Sequence, residues 1–326
     1  MLKNIKIVGT GSYLPEKILT NFDLERMVET SDEWIRVRTG IRERRIANDN
    51  QASSDLGIEA AKIALKEASV KAEDLDLIMV NTITPDMFFP STACIIQDKL
   101  GAKNAAALDI SAACSGFVYG LCLCYSLISL GEYKRILLVA AETLSKITDW
   151  EDRATCVLLG DGAGAVVLAP SDENGILSFS LGATGSAGDL LYLPGGGSRN
   201  PATIDTVKDR LHYLKMRGNE LFKLAVKCLV ESAQKTIEKA KVKPEQISLF
   251  IPHQANIRII EACRKRLHIP EERTYVNVDR YGNTSAATIP IALDEAVREG
   301  RIKRGDLILL DSFGGGLTWG ACLLRW

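Results

Sequence analysis

The sequence predicts an α/β protein made of two related halves, each a mixed sheet with helices, stacked in layers. Three observations carry this. First, "AAKIALKEASVKAEDLDLIMVNT" (60–82) aligns without gaps with "SAQKTIEKAKVKPEQISLFIPHQ" (232–254), 172 residues further on. Ala61, Ala68, Val70, Lys71 and Glu73 meet Ala233, Ala240, Val242, Lys243 and Glu245. Second, the segments that follow the two copies run in the same order. Third, the stretch after Cys114, "CSGFVYGLCLCYSLISLGEY", is apolar nearly all round, which suits a helix enclosed between two sheets.

The elements follow in chain order. "NIKIV" reads as a strand and "GTGSYL" as a turn. Each repeat copy reads as an amphipathic helix, a short turn and a buried strand. After the first copy come a strand ending near Ile110 and a helix opened by "SAACSGF". After the second, "TYVNVDRYGNTSAAT" reads as a strand, a Gly turn and a small-residue helix start. Each half then has a helix, a "KR" pair and an apolar strand, in "YKRILLVAAE" and "IKRGDLILLDSF". Each closes on a Gly-rich turn into a last strand, "GDGAGAVVLA" and "GGGLTWGACLLRW". The predicted halves are 1–170 and 171–326.

Composition excludes several classes. The chain has 326 residues, 46% hydrophobic and 25% charged, with a formal net charge of −1. No global field favours nucleic acid or an anionic membrane. No apolar run reaches the roughly 18–20 residues of a membrane helix. "MLKNIKIVGTGSYLPE" lacks a signal-peptide layout, so a cytoplasmic location is the expectation. Eight scattered cysteines without a CxxC pair, and three histidines, make a metal site unexpected; most of the thiols read as reduced core residues. "GTGSYL" has Leu14 where a dinucleotide fingerprint needs glycine, and "GDGAG" leads into a strand rather than a helix. No cofactor is expected.

Three residues stand out. Cys114 lies at a strand-to-helix junction, where free N–H groups and the helix dipole favour a thiolate. The alternative is a core cysteine in a tight junction. His253 ends the second repeated strand, where α/β sites form, although a satisfied structural histidine has the same signature. Asn283, after Gly282, roughly matches the Cys114 junction of the other half; it reads equally as a turn or cap residue. If the repeat brings the two junctions to one pseudo-twofold axis, the three converge. A thiol nucleophile with two hydrogen-bond donors suits acyl transfer through a thioester.

"AACSGF", "PHQAN", "YGNTSAAT", "FGGGLTWG" and "TSDEWIRVRTGIRERRIA" resemble the β-ketoacyl-[acyl carrier protein] synthase III family of the thiolase superfamily, over the whole length. The resemblance implies a thiolase-like αβαβα sandwich, a homodimer and an initiating condensing enzyme of fatty-acid synthesis. Cys114 would take an acyl group, acetyl by expectation, from acyl-CoA. His253 and Asn283 would then stabilise the enolate formed as malonyl-[acyl carrier protein] loses CO2. The Cys114 amide and Gly315 would form an oxyanion hole. Trp34 and Arg153 match residues that sandwich the CoA adenine, Arg38 matches a phosphate ligand, and Thr30 lies beside them. Thr30 and Glu33 also read as a capping box. Gly218, Phe222, Ala255 and Asn256 match the pantetheine channel, and Phe89 a residue that reaches the partner's acyl pocket. Lys223, Gln254, Arg258, Lys265 and Arg266 would dock the acidic carrier protein. Arg42, Arg44 and Arg45 read mostly as a solvated basic loop. Another thiolase-fold acyltransferase, making a ketide or ester from acyl-CoA, is the alternative activity.

Overall fold

A computed structural model describes residues 4–173 and 175–326. The start of the stretch tested for a signal peptide, Met1–Lys3, lies outside the described residues. The first half opens on β1 (Asn4–Tyr13) and a hairpin of β2 (Lys17–Thr20) and β3 (Glu43–Ile46), between which lie α1 (Asn21–Glu25) and α2 (Asp32–Thr39). Helix α3 (Ser53–Ala68) leads to β4 (Leu77–Asn81), α4 (Thr92–Leu100) to β5 (Ala106–Ile110), and α5 (Gly116–Ser129) to β6 (Ile136–Thr143). Then come α6 (Arg153–Cys156) and β7 (Asp161–Ser171). The second half starts with β8 (Ile176–Ala183) and a ribbon of β9 (Leu191–Tyr192) and β10 (Lys215–Met216) around α7 (Ile204–Lys208). It continues through α8 (Gly218–Lys239), β11 (Leu249–Pro252), α9 (Ile257–Arg266), α10 (Val278–Tyr281), α11 (Thr288–Arg298), β12 (Leu307–Gly314) and β13 (Thr318–Arg325).

Two mixed sheets result. One has the order β1-β7-β6-β4-β5, the other β11-β12-β13-β8. In the first, β4 is parallel to both β5 and β6, while β7 is antiparallel to its neighbours. In the second, only β11 and β12 are parallel. Helix α5 packs on strands of both sheets, and α11 on β1 and β7 of one and β11 of the other. Their apolar side chains, with Phe117, Val118, Ile289 and Leu293 fully buried, join both sheets in one core. α3 and α4 cover the outer face of the first sheet and α8 that of the second, with α9 beside it. The architecture is the layered αβαβα sandwich of the thiolase-like fold.

The repeat is retained at the level of single turns. Ala113–Ser115 and Ser285–Ala287 are both 3-10 turns, 172 residues apart, and each opens a central helix. Ala113 (φ 46°) and Ser285 (φ 51°) both take the left-handed conformation. The structural counterpart of Cys114 is therefore Ala286, and Asn283 stands three residues before it.

Three expectations need correcting. "GTGSYL" is no turn: Gly9 and Gly11 lie inside β1. A Cβ at Gly9 would stand 2.4 Å from the Ala64 carbonyl oxygen, and one at Gly11 2.4 Å from that of Ala60, so the glycines let α3 lie directly on the strand. Second, the strand expected in "TYVNVD" is reduced to a single bridge between Phe250 and Thr274. Beyond it, the Gln254 side chain donates to the Tyr275 carbonyl and accepts from the Asn277 N–H, replacing a ladder with one amide. Third, α5 is not enclosed all round in the single chain. Leu123 is 43% exposed and Leu130, just past its end, 73%.

Candidate active site

Cys114, His253 and Asn283 line one cavity of about 460 Å³, at the facing ends of the two halves. Gly218, Phe222, Ala255, Asn256 and Gly315 line it too. Its walls are otherwise largely aliphatic, with Leu144, Leu158, Leu191, Leu214, Met216 and Leu221 among them.

The Cys114 turn is tied to the second half. Ser115 Oγ donates to the Thr318 carbonyl (3.0 Å), and Thr318 Oγ1 donates to the Ala112 carbonyl (2.8 Å). The backbone of Gly314 lies so close that a Cβ there would meet Cys114 N at 2.6 Å. Cys114 is only 7% exposed. Burial pushes its thiol up to about 11, and the nearby Glu142 carboxylate adds to the rise. The sequence suggested that the helix terminus favours a thiolate; in the closed site burial outweighs it, so the resting group is the thiol.

His253 follows β11, and its backbone N–H donates to the Asp311 carbonyl at 2.8 Å. Its ring Nδ1 lies 2.6 Å from Thr288 Oγ1, at the start of α11. Burial alone lowers its pKa to about 3, so the imidazole is neutral at any working pH. Asn283 is held from both sides: its N–H donates to the Leu158 carbonyl (2.8 Å), and its carbonyl accepts from Gly160 N–H (3.0 Å). Its side-chain Oδ1 accepts from Ser285 N–H at 2.8 Å. That bond settles the orientation of the amide and leaves Nδ2, the donor, for the cavity.

Two buried groups that sequence reasoning did not single out support the site. Glu142 is fully buried and accepts from Thr84 Oγ1 at 2.6 Å, Thr82 Oγ1 at 3.2 Å and Ile83 N–H. Desolvation raises it to about 7 against those donors. Arg44 is the larger surprise. In the sequence it reads as part of a solvated loop, but it is 0% exposed. Its guanidinium donates to the Leu19 and Val157 carbonyls and to Asn21 Oδ1, and desolvation pulls it down to about 10. It thus anchors the segment that grips Asn283. Arg42 is exposed and Arg45 half-buried, nearer to expectation.

The residues matched to CoA binding form a second cluster. The Arg38 and Arg153 guanidinium carbons lie 4.5 and 5.0 Å from the Trp34 ring centroid. Arg153 also donates to the Glu29 carbonyl at 2.9 Å. A ring between Trp34 and Arg153 needs about 7 Å, two van der Waals spacings, so Arg153 must swing outward to admit a base. Thr30 carries a buried hydroxyl without a partner among the described residues, but it does not cap α2. Ser31 is the cap, accepting from Trp34 N–H at 3.1 Å, because the helix begins at Asp32 rather than one residue earlier.

Of the residues expected to dock a carrier protein, Lys223, Arg258, Lys265 and Arg266 are exposed, with Lys265 near Glu261 at 3.6 Å. Gln254 does not belong with them. It is 1% exposed, and its amide is used up by Pro252, Tyr275 and Asn277. Asn256 has a second task as cap of α9, accepting from Arg258 N–H at 2.8 Å. Phe89 stands clear of the chain, 85% exposed. Cys94 is exposed rather than a core residue.

Two family models match the chain. Residues 108–185 match the model of 3-oxoacyl-[acyl-carrier-protein] synthase III, and 237–326 match the model of its C-terminal part. The chain is 58% identical to the β-ketoacyl-[acyl-carrier-protein] synthase III of Caldanaerobacter subterraneus subsp. tengcongensis, over 98% of this chain and 97% of that one. It is 55% identical to the synthase III of Natranaerobius thermophilus over the full length of both. The crystal structure of the 3-oxoacyl-[acyl-carrier-protein] synthase III from Aquifex aeolicus superposes with a TM-score of 0.93 at 53% identity, covering 99% of this chain and 100% of that one.

Proposed function

Since the chain belongs to the β-ketoacyl-[acyl carrier protein] synthase III family, the acyltransferases that initiate fatty-acid synthesis, we propose that Cys114, His253 and Asn283 carry its reaction. The convergence of these three residues in one largely apolar cavity supports the assignment. The family does not favour the alternative ketide or ester synthase.

In the first stage Cys114 Sγ attacks the acyl carbon of acyl-CoA. The new C–S bond replaces the old one, and CoA leaves as a thiol with the proton that Cys114 gives up. Malonyl-[acyl carrier protein] then enters. Its carboxylate leaves as CO2, and the electron pair of the broken bond forms an enolate. His253 Nε2–H and Asn283 Nδ2–H donate to the enolate oxygen. Neutral, fixed donors suit this step because the charge develops on oxygen and no proton has to move. The enolate carbon attacks the acyl-Cys carbonyl, whose oxyanion faces the N–H groups of Cys114 and Gly315. Collapse releases 3-oxoacyl-[acyl carrier protein] and returns the thiolate, which takes up a proton. No cofactor enters this scheme; acyl-CoA is a substrate.

Incubation with labelled acetyl-CoA tests the assignment. Label is expected on Cys114 and to persist, with little free acetate, until malonyl-[acyl carrier protein] is added. Rapid hydrolysis, or no labelling with any acyl-CoA, would contradict it. Substrate contacts should also separate in steady-state kinetics. Trp34→Ala is expected to raise KM for acyl-CoA about tenfold, the worth of one stacking contact of about 1.4 kcal/mol. Arg258→Glu should raise KM for the carrier-bound substrate alone. If either variant moved both constants equally, the two sites would be misassigned.

The homodimer rests on the rim of the first sheet. Among the described residues, strand β5 ends it with no partner on its outer side. Leu108 on that strand is 38% exposed, and Met87, Phe88 and Phe89 are 49, 81 and 85% exposed. An open strand edge with apolar side chains fits a second copy of the chain. A monomeric mass by light scattering would count against it. A cytoplasmic location fits eight free cysteines. No helix among the described residues is long and apolar enough to cross a membrane. Cell fractionation decides the location.

A further inference from the structure

The donor role of His253 depends on which ring nitrogen carries the proton, and one residue outside the three governs that choice. The Thr288 hydroxyl lies 2.6 Å from His253 Nδ1 and 3.1 Å from the Ser285 carbonyl. A hydroxyl has one proton, so it donates to only one of them. If it went to the carbonyl, Nδ1 would have to carry the ring proton. Nε2 would then face the cavity as a bare lone pair. That tautomer could not donate to an enolate oxygen; two acceptors would meet. If the hydroxyl donates to Nδ1, the ring proton sits on Nε2 and points at the substrate.

Two features favour donation to the ring. The Nδ1 contact is the shorter by half an ångström. The Ser285 carbonyl is already served, because it accepts the backbone N–H of Thr288 itself. Among the described residues His253 Nδ1 has no other partner. Both side chains are buried, at 6% for His253 and 3% for Thr288, so water does not offer an easy substitute. The pairing is also held rigidly. Thr288 is the first residue of α11, directly after the 3-10 turn that starts with left-handed Ser285, and Ser285 N–H holds the Asn283 side chain. One turn therefore orients both donors, Asn283 through Ser285 N–H and His253 through the Thr288 hydroxyl.

We propose that Thr288 is a positioning residue that donates its hydroxyl proton to His253 Nδ1 and so locks the imidazole as an Nε2–H donor toward the enolate oxygen. The proposal rests on the reading of His253 as an enolate donor. It adds that the ring cannot serve as a general base toward Cys114 while the lock holds. The thiol proton must leave by another route, to the departing CoA sulfur or through water in the cavity.

The test reads the tautomer directly. With only three histidines, at 212, 253 and 268, nitrogen-15 spectra of histidine-labelled protein are simple, and a His253→Ala spectrum identifies the signals. The expected result for the resting enzyme is a protonated Nε2 and an unprotonated Nδ1 at His253. A protonated Nδ1 overturns the proposal whatever the kinetics show. In parallel, Thr288→Val keeps the shape and removes the hydroxyl, and Thr288→Ser restores it. Decarboxylation of malonyl-[acyl carrier protein] by acylated enzyme should fall roughly ten- to a hundredfold in Thr288→Val and return in Thr288→Ser, while acylation of Cys114 changes little. Equal loss in both half-reactions would assign Thr288 a packing role and overturn the proposal. If His253→Ala itself left decarboxylation intact, the enolate-donor reading would fail, an outcome distinct from a wrong tautomer. Should Thr288→Val not fold, the wild-type spectrum still decides.

Discussion

Gly314→Ala is expected to abolish most acyl-enzyme formation while the protein still folds. The added Cβ would stand 2.6 Å from Cys114 N and 3.1 Å from both its Cα and its Cβ. Neither side can yield easily. Gly314 ends β12, paired with Thr318 of β13, and the Cys114 turn is fastened to Thr318 by two hydrogen bonds. The relief available is to push the Cys114 turn into the cavity. A displacement on the order of 1 Å at a reacting atom can cost about 10² in rate. The amide of Cys114 would move with it, away from the oxyanion it meets in the proposed scheme. The measurement is the single-turnover rate of Cys114 acylation by mass spectrometry, with thermal melting to show that the variant is folded. Normal acylation would mean that the close approach has no bearing on the nucleophile.

The second large effect should fall on the other half-reaction. His253→Ala and Asn283→Ala are each expected to slow decarboxylation by about 10²–10³, the value of one oxyanion donor. Acylation of Cys114 should stay within about tenfold of wild type. The pair makes a sharper test than either alone, because the two backbones are anchored separately, His253 after β11 and Asn283 against residues 158 and 160, although one turn orients both side chains. pH adds a check. Burial holds the His253 pKa near 3, below the usual histidine value, so the imidazole stays neutral above that pH. Decarboxylation by acylated enzyme should show no break between pH 5 and 8 due to this residue. A break near 6.5, removed by His253→Ala, would show that imidazolium takes part and that the neutral-donor scheme is wrong.

Much of the site was readable in the chain because its chemistry is carried by short motifs. "AACSGF" marks the proposed nucleophile through the small residues that a close backbone approach demands, and "YGNTSAAT" marks the turn that presents Asn283. What spacing could not reveal were side chains whose partners lie far off in sequence. Arg44 looks like one more surface arginine in "IRERRIA"; its burial depends on carbonyls at Leu19 and Val157 and the amide of Asn21. Gln254 sits beside His253 in a motif that lines the cavity, yet its amide points into the protein to replace a missing strand. Thr288 reads as an ordinary helix-start residue until His253, 35 residues away, is seen against it.

By itself, then, the sequence determined the two-half α/β plan, the family and the three residues at the centre. Repeat spacing, small-residue junctions and apolar periodicity are local properties, and local physics suffices to read them. The tertiary structure alone decided the electrostatic state of the site: a thiol that is protonated at rest, a histidine that is neutral, and an asparagine whose nitrogen faces the cavity. These follow from desolvation and from hydrogen bonds between distant segments, and both exist only once the halves have closed on one another.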